Sequence, residues 1–80
     1  MEIMEKNEII DKKRIGKRLK ELRKEQGLTQ KQISERLNIT RNAYTCYETG
    51  VSLVTLESAI KLAEMYKCSI DYLIGRYKEF

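Results

Sequence analysis

A chain of 80 residues accommodates one small domain, because a second hydrophobic core needs about a hundred residues more. Charged residues make up 35% of the sequence, no apolar run is long enough to cross a bilayer, and the N-terminus has no secretory signal, so we expect a cytoplasmic protein. The sequence lacks histidine and has two cysteines, Cys46 and Cys68, so we expect reduced thiols, no enzymatic activity, no metal and no cofactor.

Basic residues are concentrated in the first half of the chain. Residues 12–41 contain eleven lysines and arginines against three glutamates, a net charge of +8, whereas residues 1–11 carry −3 and residues 42–80 carry −1. A basic block of this kind favours a polyanionic partner, with nucleic acid first and an anionic membrane surface second. A solvated helix face explains the same block equally well.

Helical signals begin at residue 12. The chain has no proline and four glycines, which favours an all-helical fold over one with β-hairpins. Residues 12–26 carry apolar side chains at helical spacing and predict a first helix, ended by Gly27. These apolar residues are Ile15, Leu19 and Leu22. Thr29 and Gln32 form a capping-box pattern that predicts a short second helix over about 30–37.

The next signals predict a turn and a third helix. Asn38 suits the left-handed conformation that ends a helix, and Thr40 suits the cap of a helix that runs to about Thr49, before Gly50. Two helices of about eight residues joined by a turn of three or four residues define a helix-turn-helix unit by geometry alone.

The third predicted helix has two different faces. Residues placed at 100° intervals fall into a polar stripe and a stripe of larger side chains. The polar stripe contains Arg41, Asn42, Thr45, Cys46 and Thr49, and the other contains Ala43, Tyr44 and Tyr47. Arg, Asn and Thr supply donors and acceptors suited to base edges, and the stripe lacks the Glu-Lys pairs typical of a solvated surface. We expect the two tyrosines in the core.

Two further helices are predicted before the end of the chain. Thr55 suits the cap of a fourth helix, and Ser69 suits the cap of a fifth, which Gly75 closes. The fourth helix is expected to bury the apolar residues Leu56, Ala59, Ile60 and Ala63.

Short motifs recur along the chain at regular positions, namely IGKRLKELR at 15–23, GLTQ at 27–30, ITRN at 39–42, YETG at 47–50, TLE at 55–57, KLA at 61–63 and CSIDYL at 68–73. In these motifs and in their spacing the sequence resembles the phage-repressor-like helix-turn-helix domains of the Cro/C1 or Xre family. The resemblance covers about residues 12–75.

The resemblance implies an all-α, compact five-helix bundle of the lambda-repressor-like type. It divides the chain into an N-terminal extension (1–11), a DNA-binding domain (12–75) and a C-terminal tail (76–80). The chain departs from the family pattern in three places, the first of which is Asn38, where the family commonly has glycine. The loop at 51–54 is apolar where many members have a basic residue and a proline, and Cys46 stands where a long polar residue is common.

Site residues follow from the resemblance and from the helix faces together. The residues expected to contact bases are Arg41, Asn42, Thr45 and Cys46. The residues expected to contact phosphates are Thr29, Gln30, Thr40, Tyr44 and Thr49. Arg23 and Glu48 match positions that form a partly buried structural ion pair in the family, tying the first helix to the end of the third.

The resemblance implies double-stranded DNA as the partner and a homodimer as the binding unit. The expected function is a transcriptional regulator, most simply a repressor, that reads the major groove of a two-fold symmetric operator with its third helix. The alternative is an antitoxin-like module that binds a protein partner and contacts DNA secondarily, using the N-terminal extension or the apolar tail.

Overall fold

The computed structural model describes residues 10–76, and every regular element in that range is an α-helix. The helices are α1 (Lys12–Glu25), α2 (Gln30–Leu37), α3 (Arg41–Thr49), α4 (Leu56–Tyr66) and α5 (Ile70–Leu73). The all-α prediction and the order of the five helices are confirmed. The expected N-terminal extension and C-terminal tail lie almost entirely outside the described residues.

Local polar chemistry determines where the helices begin. Thr29, Thr40, Thr55 and Ser69 each accept a hydrogen bond from a backbone N–H in the first turn of the helix that follows, and Asp11 does the same for α1. The Thr29 capping box is complete, since the Gln32 side chain accepts from the Thr29 N–H in return. These caps satisfy donors that the first turn of a helix leaves without partners.

The turn between α2 and α3 is held by a residue in the left-handed region. Asn38 has φ 60° and ψ 44°, and Asn tolerates this conformation better than most residues with a Cβ. The next residues then redirect the chain, so that three residues separate the end of α2 from the start of α3. This geometry is the helix-turn-helix unit that the sequence predicts.

The core forms where α1, α2, α3, α4 and α5 face one another. Fully or almost fully buried apolar side chains come from every helix. They include Ile15, Leu19, Ile33, Leu37, Tyr44, Tyr47, Leu62 and Leu73. The two tyrosines pack edge to face, with ring centroids 6.2 Å apart, so both are core residues as predicted.

The predicted inward face of α4 is partly wrong. Leu56 is 71% exposed and Ile60 is 44% exposed, whereas Ala59, Leu62 and Ala63 are buried. The helix is apolar around most of its circumference, so periodicity alone allows more than one inward stripe. The observed stripe places small alanines where α4 approaches the core and leaves Leu56 and Ile60 outside.

Two arginines of α1 hold the C-terminal end of α5. Arg14 donates to the Gly75 carbonyl at 3.2 Å, and Arg18 donates to the Tyr72 carbonyl while its guanidinium lies 4.1 Å from the centre of the Tyr72 ring. Cations at the carbonyl end of a helix are favourable, and the ring adds a cation–π contact. The short α5 is thereby fixed against α1. Among residues 10–76, no helix is both long and apolar enough to span a membrane.

Gly16 sets how closely α1 packs on α3. It is buried in the second turn of α1, and a Cβ at this position would overlap the carbonyl oxygens of Tyr47 and Glu48. Those carbonyls belong to the last turn of α3, where moving them would disturb the cap at Gly50.

We therefore expect Gly16→Ala to lower the free energy of unfolding by about 1–3 kcal/mol, the usual cost of overpacking. Helix propensity alone predicts the opposite sign, a gain of about 1 kcal/mol for alanine. Urea denaturation of this variant and of Lys17→Ala, an exposed neighbour on the same helix, separates the two effects. A Gly16→Ala variant as stable as the parent would show that the close approach is not a constraint.

Candidate nucleic-acid interface

The polar stripe of α3 lies on the outside of the domain. Arg41 and Asn42 are exposed, and Thr45 and Cys46 are partly exposed, whereas Tyr44 and Tyr47 on the opposite side are buried. Neither the guanidinium of Arg41 nor the amide of Asn42 hydrogen-bonds to another side chain within residues 10–76. The N–H donors of Arg41 and both the donors and the acceptor of Asn42 are therefore available to a partner.

Three of the residues expected at phosphates are exposed threonines at helix ends. The hydroxyl oxygens of Thr29 and Thr40 accept from the Gln32 and Ala43 N–H groups, at 3.0 Å in each case. Because the caps use only lone pairs, each hydroxyl retains a proton to donate outward. Thr49, at the last turn of α3, makes a long contact of 3.4 Å with the Cys46 carbonyl.

The phosphate contact predicted for Tyr44 is wrong in this structure. Tyr44 has no exposed surface, and its phenol oxygen is buried without a hydrogen-bond partner. The ring is drawn inward because α3 packs against α1 along this side, so the phenol ends inside the domain and not at a surface that a phosphate can reach.

Arg23 and Glu48 form a buried, two-point ion pair. Arg23 Nε lies 2.6 Å from Glu48 Oε2, and Nη2 lies 3.1 Å from Oε1. The remaining Arg23 nitrogen, Nη1, donates to the Leu28 carbonyl at 2.9 Å. The pair therefore joins α1 to α3 and also fixes the loop that leads into α2, in the fork geometry that makes Arg–carboxylate pairs strong.

The surroundings of Glu48 keep it ionised. Burial acts to raise the pKa of its carboxyl, but hydrogen bonds from Arg23 and Gln30, with the Tyr44 phenol close by, outweigh burial and lower that pKa below its ordinary value. The pKa of Arg23 is raised, chiefly by its hydrogen bonds to Glu48. Both groups are therefore charged at neutral pH.

Gln30 connects the ion pair to the polar stripe. Its amide nitrogen donates to Glu48 Oε1 at 3.0 Å, and its amide oxygen accepts from the Thr45 hydroxyl at 3.1 Å. Gln30 was predicted to contact a phosphate. One of the two N–H groups of its amide already donates to Glu48 inside the domain. This network was not anticipated, because residues 30, 45 and 48 meet only once α2 has folded back against α3.

Two buried tyrosine phenols lie near the ion pair. Burial raises the pKa of Tyr66 to about 12 and also raises that of Tyr44, so both phenols are neutral at physiological pH. Neither oxygen has a hydrogen-bond partner among the described residues. Tyr44 belongs to the hydrophobic core, and Tyr66 packs against it.

The two cysteines lie in different parts of the domain, Cys46 on the polar stripe of α3 and Cys68 between α4 and α5. Cys46 and Cys68 are both free and partly buried, and burial raises the pKa of Cys68. No group of three or more Cys, Asp or Glu side chains within residues 10–76 is arranged to hold a metal ion.

Comparison with known proteins identifies relatives of the whole helical unit. The family model described as "Helix-turn-helix" matches residues 19–73. The HTH-type transcriptional regulator ImmR of Bacillus subtilis is 42% identical over 62 residues, covering 78% of this chain and 49% of the relative. The cryptic phage CTXphi transcriptional repressor RstR of Vibrio cholerae is 38% identical over 64 residues, covering 80% of this chain and 57% of the relative. The chain thus spans about half the length of these relatives.

Solved structures agree with the fold. A transcriptional regulator from Listeria innocua superposes with a TM-score of 0.75 at 35% identity, covering 82% of this chain and 62% of that one. The restriction-modification controller protein C.AhdI from Aeromonas hydrophila superposes with a TM-score of 0.71 at 30% identity, covering 79% of this chain and 96% of that one.

The ion pair predicts a specific stability loss. Glu48→Gln leaves the Arg23 charge buried without its counter-ion, so we expect the free energy of unfolding at pH 7 to fall by about 3–5 kcal/mol. Glu57→Gln, on an exposed pair with Lys61, should change it by less than about 1 kcal/mol.

The pH dependence of the same variant tests the charge directly. Because the pKa of Glu48 is lower in the folded chain than its ordinary 4.5, its stabilising contribution is complete above that value and is lost as the pH falls through the folded pKa. The difference between parent and Glu48→Gln should therefore be largest at neutral pH and shrink in acid. A difference that does not change with pH would mean that the carboxylate charge contributes nothing.

Proposed function

The chain belongs to the Cro/C1-type helix-turn-helix family, and from that premise we propose that it is a sequence-specific DNA-binding transcriptional regulator that acts as a repressor. The observation that carries the proposal is the division of α3 into an exposed polar stripe and a buried aromatic side. A helix that is anchored by one side and presents free donors on the other is suited to the major groove.

The exposed side chains have the chemistry to read bases. The Arg41 guanidinium fits the O6 and N7 acceptors of guanine, and the Asn42 amide fits N6 and N7 of adenine. Thr45 and Cys46 lie further along the same stripe, where shorter side chains suit closer approach. The backbone conformation of α3 fixes all four at known spacing on one helix face.

The flanking residues supply sequence-independent contacts. The N-terminus of α2 presents Gln30 and the Thr29 hydroxyl, and α3 adds Thr40 and Thr49 at its two ends, where phosphates of the groove walls would lie. The exposed lysines and arginines of residues 12–41 add long-range attraction and make affinity depend strongly on salt. In this proposal the phosphate contacts fix the position of the protein along the duplex, and the polar stripe determines which base sequence is preferred.

A second copy of the chain is the proposed partner on DNA. An apolar groove of about 260 Å³ lies between the start of α1, the loop that precedes α4, the first turn of α4, and α5. Apolar side chains at its rim are exposed to solvent, namely Ile10, Leu53 and Leu56. A C2 dimer that buries this rim would carry two copies of α3, one for each half-site of the proposed two-fold symmetric operator.

Substitutions on the two sides of α3 test the proposed reading face. Arg41→Ala and Asn42→Ala remove exposed groups, so each should leave the melting temperature nearly unchanged while costing about 1–3 kcal/mol of discrimination at one base position per half-site. Tyr47→Ala removes a buried ring and should destabilise the domain by about 3–5 kcal/mol, losing DNA binding only through unfolding.

The readout is a melting curve for each variant together with its affinity for a set of single-base-substituted duplexes. If both Arg41→Ala and Asn42→Ala keep the sequence preference of the parent, α3 is not the helix that recognises the bases. A fully stable Tyr47→Ala variant would contradict the assignment of the two faces.

The proposed dimer face is tested without DNA. Leu56→Glu places a charge on the apolar rim, so sedimentation should show a dimer weakened by at least tenfold, roughly the loss of one apolar contact of about 1.4 kcal/mol. The melting temperature should be little affected, because Leu56 is 71% exposed. Lys24→Gln, at an exposed position of α1, lowers the net charge by the same amount and should leave dimerisation unchanged. Equal dimerisation of both variants would place the interface elsewhere and favour a different protein as the partner of this groove.

A further inference from the structure

We propose that Lys13, in the first turn of α1, binds a backbone phosphate of the DNA beside the C-terminal end of α3. The proposal rests on the proposed function, in which α3 reads the major groove, and it adds one direct contact to the long-range attraction of the basic block. Three observations support it, namely the packing of Lys13 on Gly50, the exposure of its side chain, and the lack of charged residues in the loop that follows α3.

Lys13 lies against the residue that ends α3. Gly50 adopts the left-handed conformation there, with φ 82°, and a Cβ on this residue would come within 2.8 Å of Lys13 Cγ and 3.1 Å of Lys13 Cα. The start of α1 and the end of α3 are therefore in direct contact, and the inner part of the Lys13 side chain is held at that contact. Lys13 is nevertheless exposed, so its ammonium group reaches the surface beside the end of α3.

The ammonium group of Lys13 forms no ion pair among residues 10–76. The basic residues that do form ion pairs in this range are Arg18, Arg23, Lys61 and Arg76. The neighbouring Asp11 carboxylate caps α1 and accepts from the backbone N–H groups of Lys13 and Arg14. Lys12, which is exposed beside Lys13, offsets the charge of Asp11. The charge of Lys13 is therefore available to an anionic partner.

The C-terminal end of α3 has no positive charge in its own stretch of sequence. The last turn of α3 contains no basic residue, and the loop at 51–54 contains no charged residue. The other end of α3 begins with Arg41. A helix in the major groove lies between two phosphate backbones, so both of its ends come close to negative charge. Lys13 supplies at the C-terminal end the charge that the local sequence does not provide.

The surface around Lys13 is open enough to receive a sugar–phosphate backbone. An open depression of about 670 Å³ is lined by Lys12 and Lys13 together with the loop residues Val51, Ser52 and Leu53. The lysines supply positive charge, the Ser52 hydroxyl is a hydrogen-bond donor, and Val51, which is 66% exposed, presents an apolar side chain to a deoxyribose. Contacts of this kind fix the position of a protein along the duplex and carry no direct information about base sequence.

The first test measures the salt dependence of binding to the duplex preferred in a selection from random sequences. Lys13→Gln keeps the Cβ and Cγ atoms that lie on Gly50 and removes the charge. We expect the plot of log affinity against log salt concentration to become shallower by about 0.9 per protomer bound, with the order of base preferences unchanged. Lys13→Arg should keep the slope of the parent. Lys61→Gln, the matched control, should also keep it, because Glu57 already offsets the charge of Lys61.

The second test identifies the phosphate. Each phosphate of the duplex is replaced in turn by an uncharged methylphosphonate, and the affinities of the parent and of Lys13→Gln are compared at one salt concentration. We expect one phosphate per half-site whose replacement weakens the parent by about 2- to 5-fold, the range of a single exposed ion pair. The same replacement should have no further effect on Lys13→Gln, and it should weaken Lys61→Gln as much as the parent.

The outcomes separate a DNA contact from a structural role. A Lys13→Gln variant with a lower melting temperature and an unchanged salt slope would show that Lys13 only stabilises the end of α3, which overturns the proposal. Equal changes of slope in Lys13→Gln and Lys61→Gln also overturn it, because the effect is then one of net charge. If the parent binds all duplexes equally, the proposed function fails. The slopes and the methylphosphonate series then still decide the role of Lys13, since phosphate contacts do not depend on base sequence.

Discussion

A buried ion pair between Arg23 and Glu48 organises the domain. It joins the end of α1 to the end of α3 and, through the Leu28 carbonyl, holds the loop that begins α2. Small domains have little apolar surface to bury, so a fixed polar contact between three elements has a large influence on which packing is unique. The absence of a side chain at Gly16 lets the same two helices approach closely enough for the pair to form.

The same pair connects the fold to the proposed reading surface. Glu48 binds Arg23 on one side and Gln30 on the other, and Gln30 in turn accepts from Thr45 on the polar stripe. A side chain that is held in one orientation before binding is useful in recognition, because it loses little conformational entropy when the partner binds. The long, exposed Arg41 has no such support and must be ordered by its partner.

Local chemistry made most of the fold predictable. Caps such as Thr29 and Thr40 act within one turn of their own position, so sequence spacing is enough to place helix starts. The inward face of α4 was predicted only in part, because Leu56 and Ala59 are both apolar and only packing decides which of them is buried. The Gln30 network was missed for a related reason, since its partners are 15 and 18 residues away and nothing local indicates their approach. The ion pair itself came from family resemblance and not from spacing.

Selection of binding sites from a pool of random duplexes tests the central claim, that a polar stripe held by the buried pair reads DNA sequence. We expect enrichment of an inverted repeat whose half-site centres are about one helical turn apart. Recovery of the input pool without enrichment, under salt conditions where the protein binds duplex DNA, would contradict it.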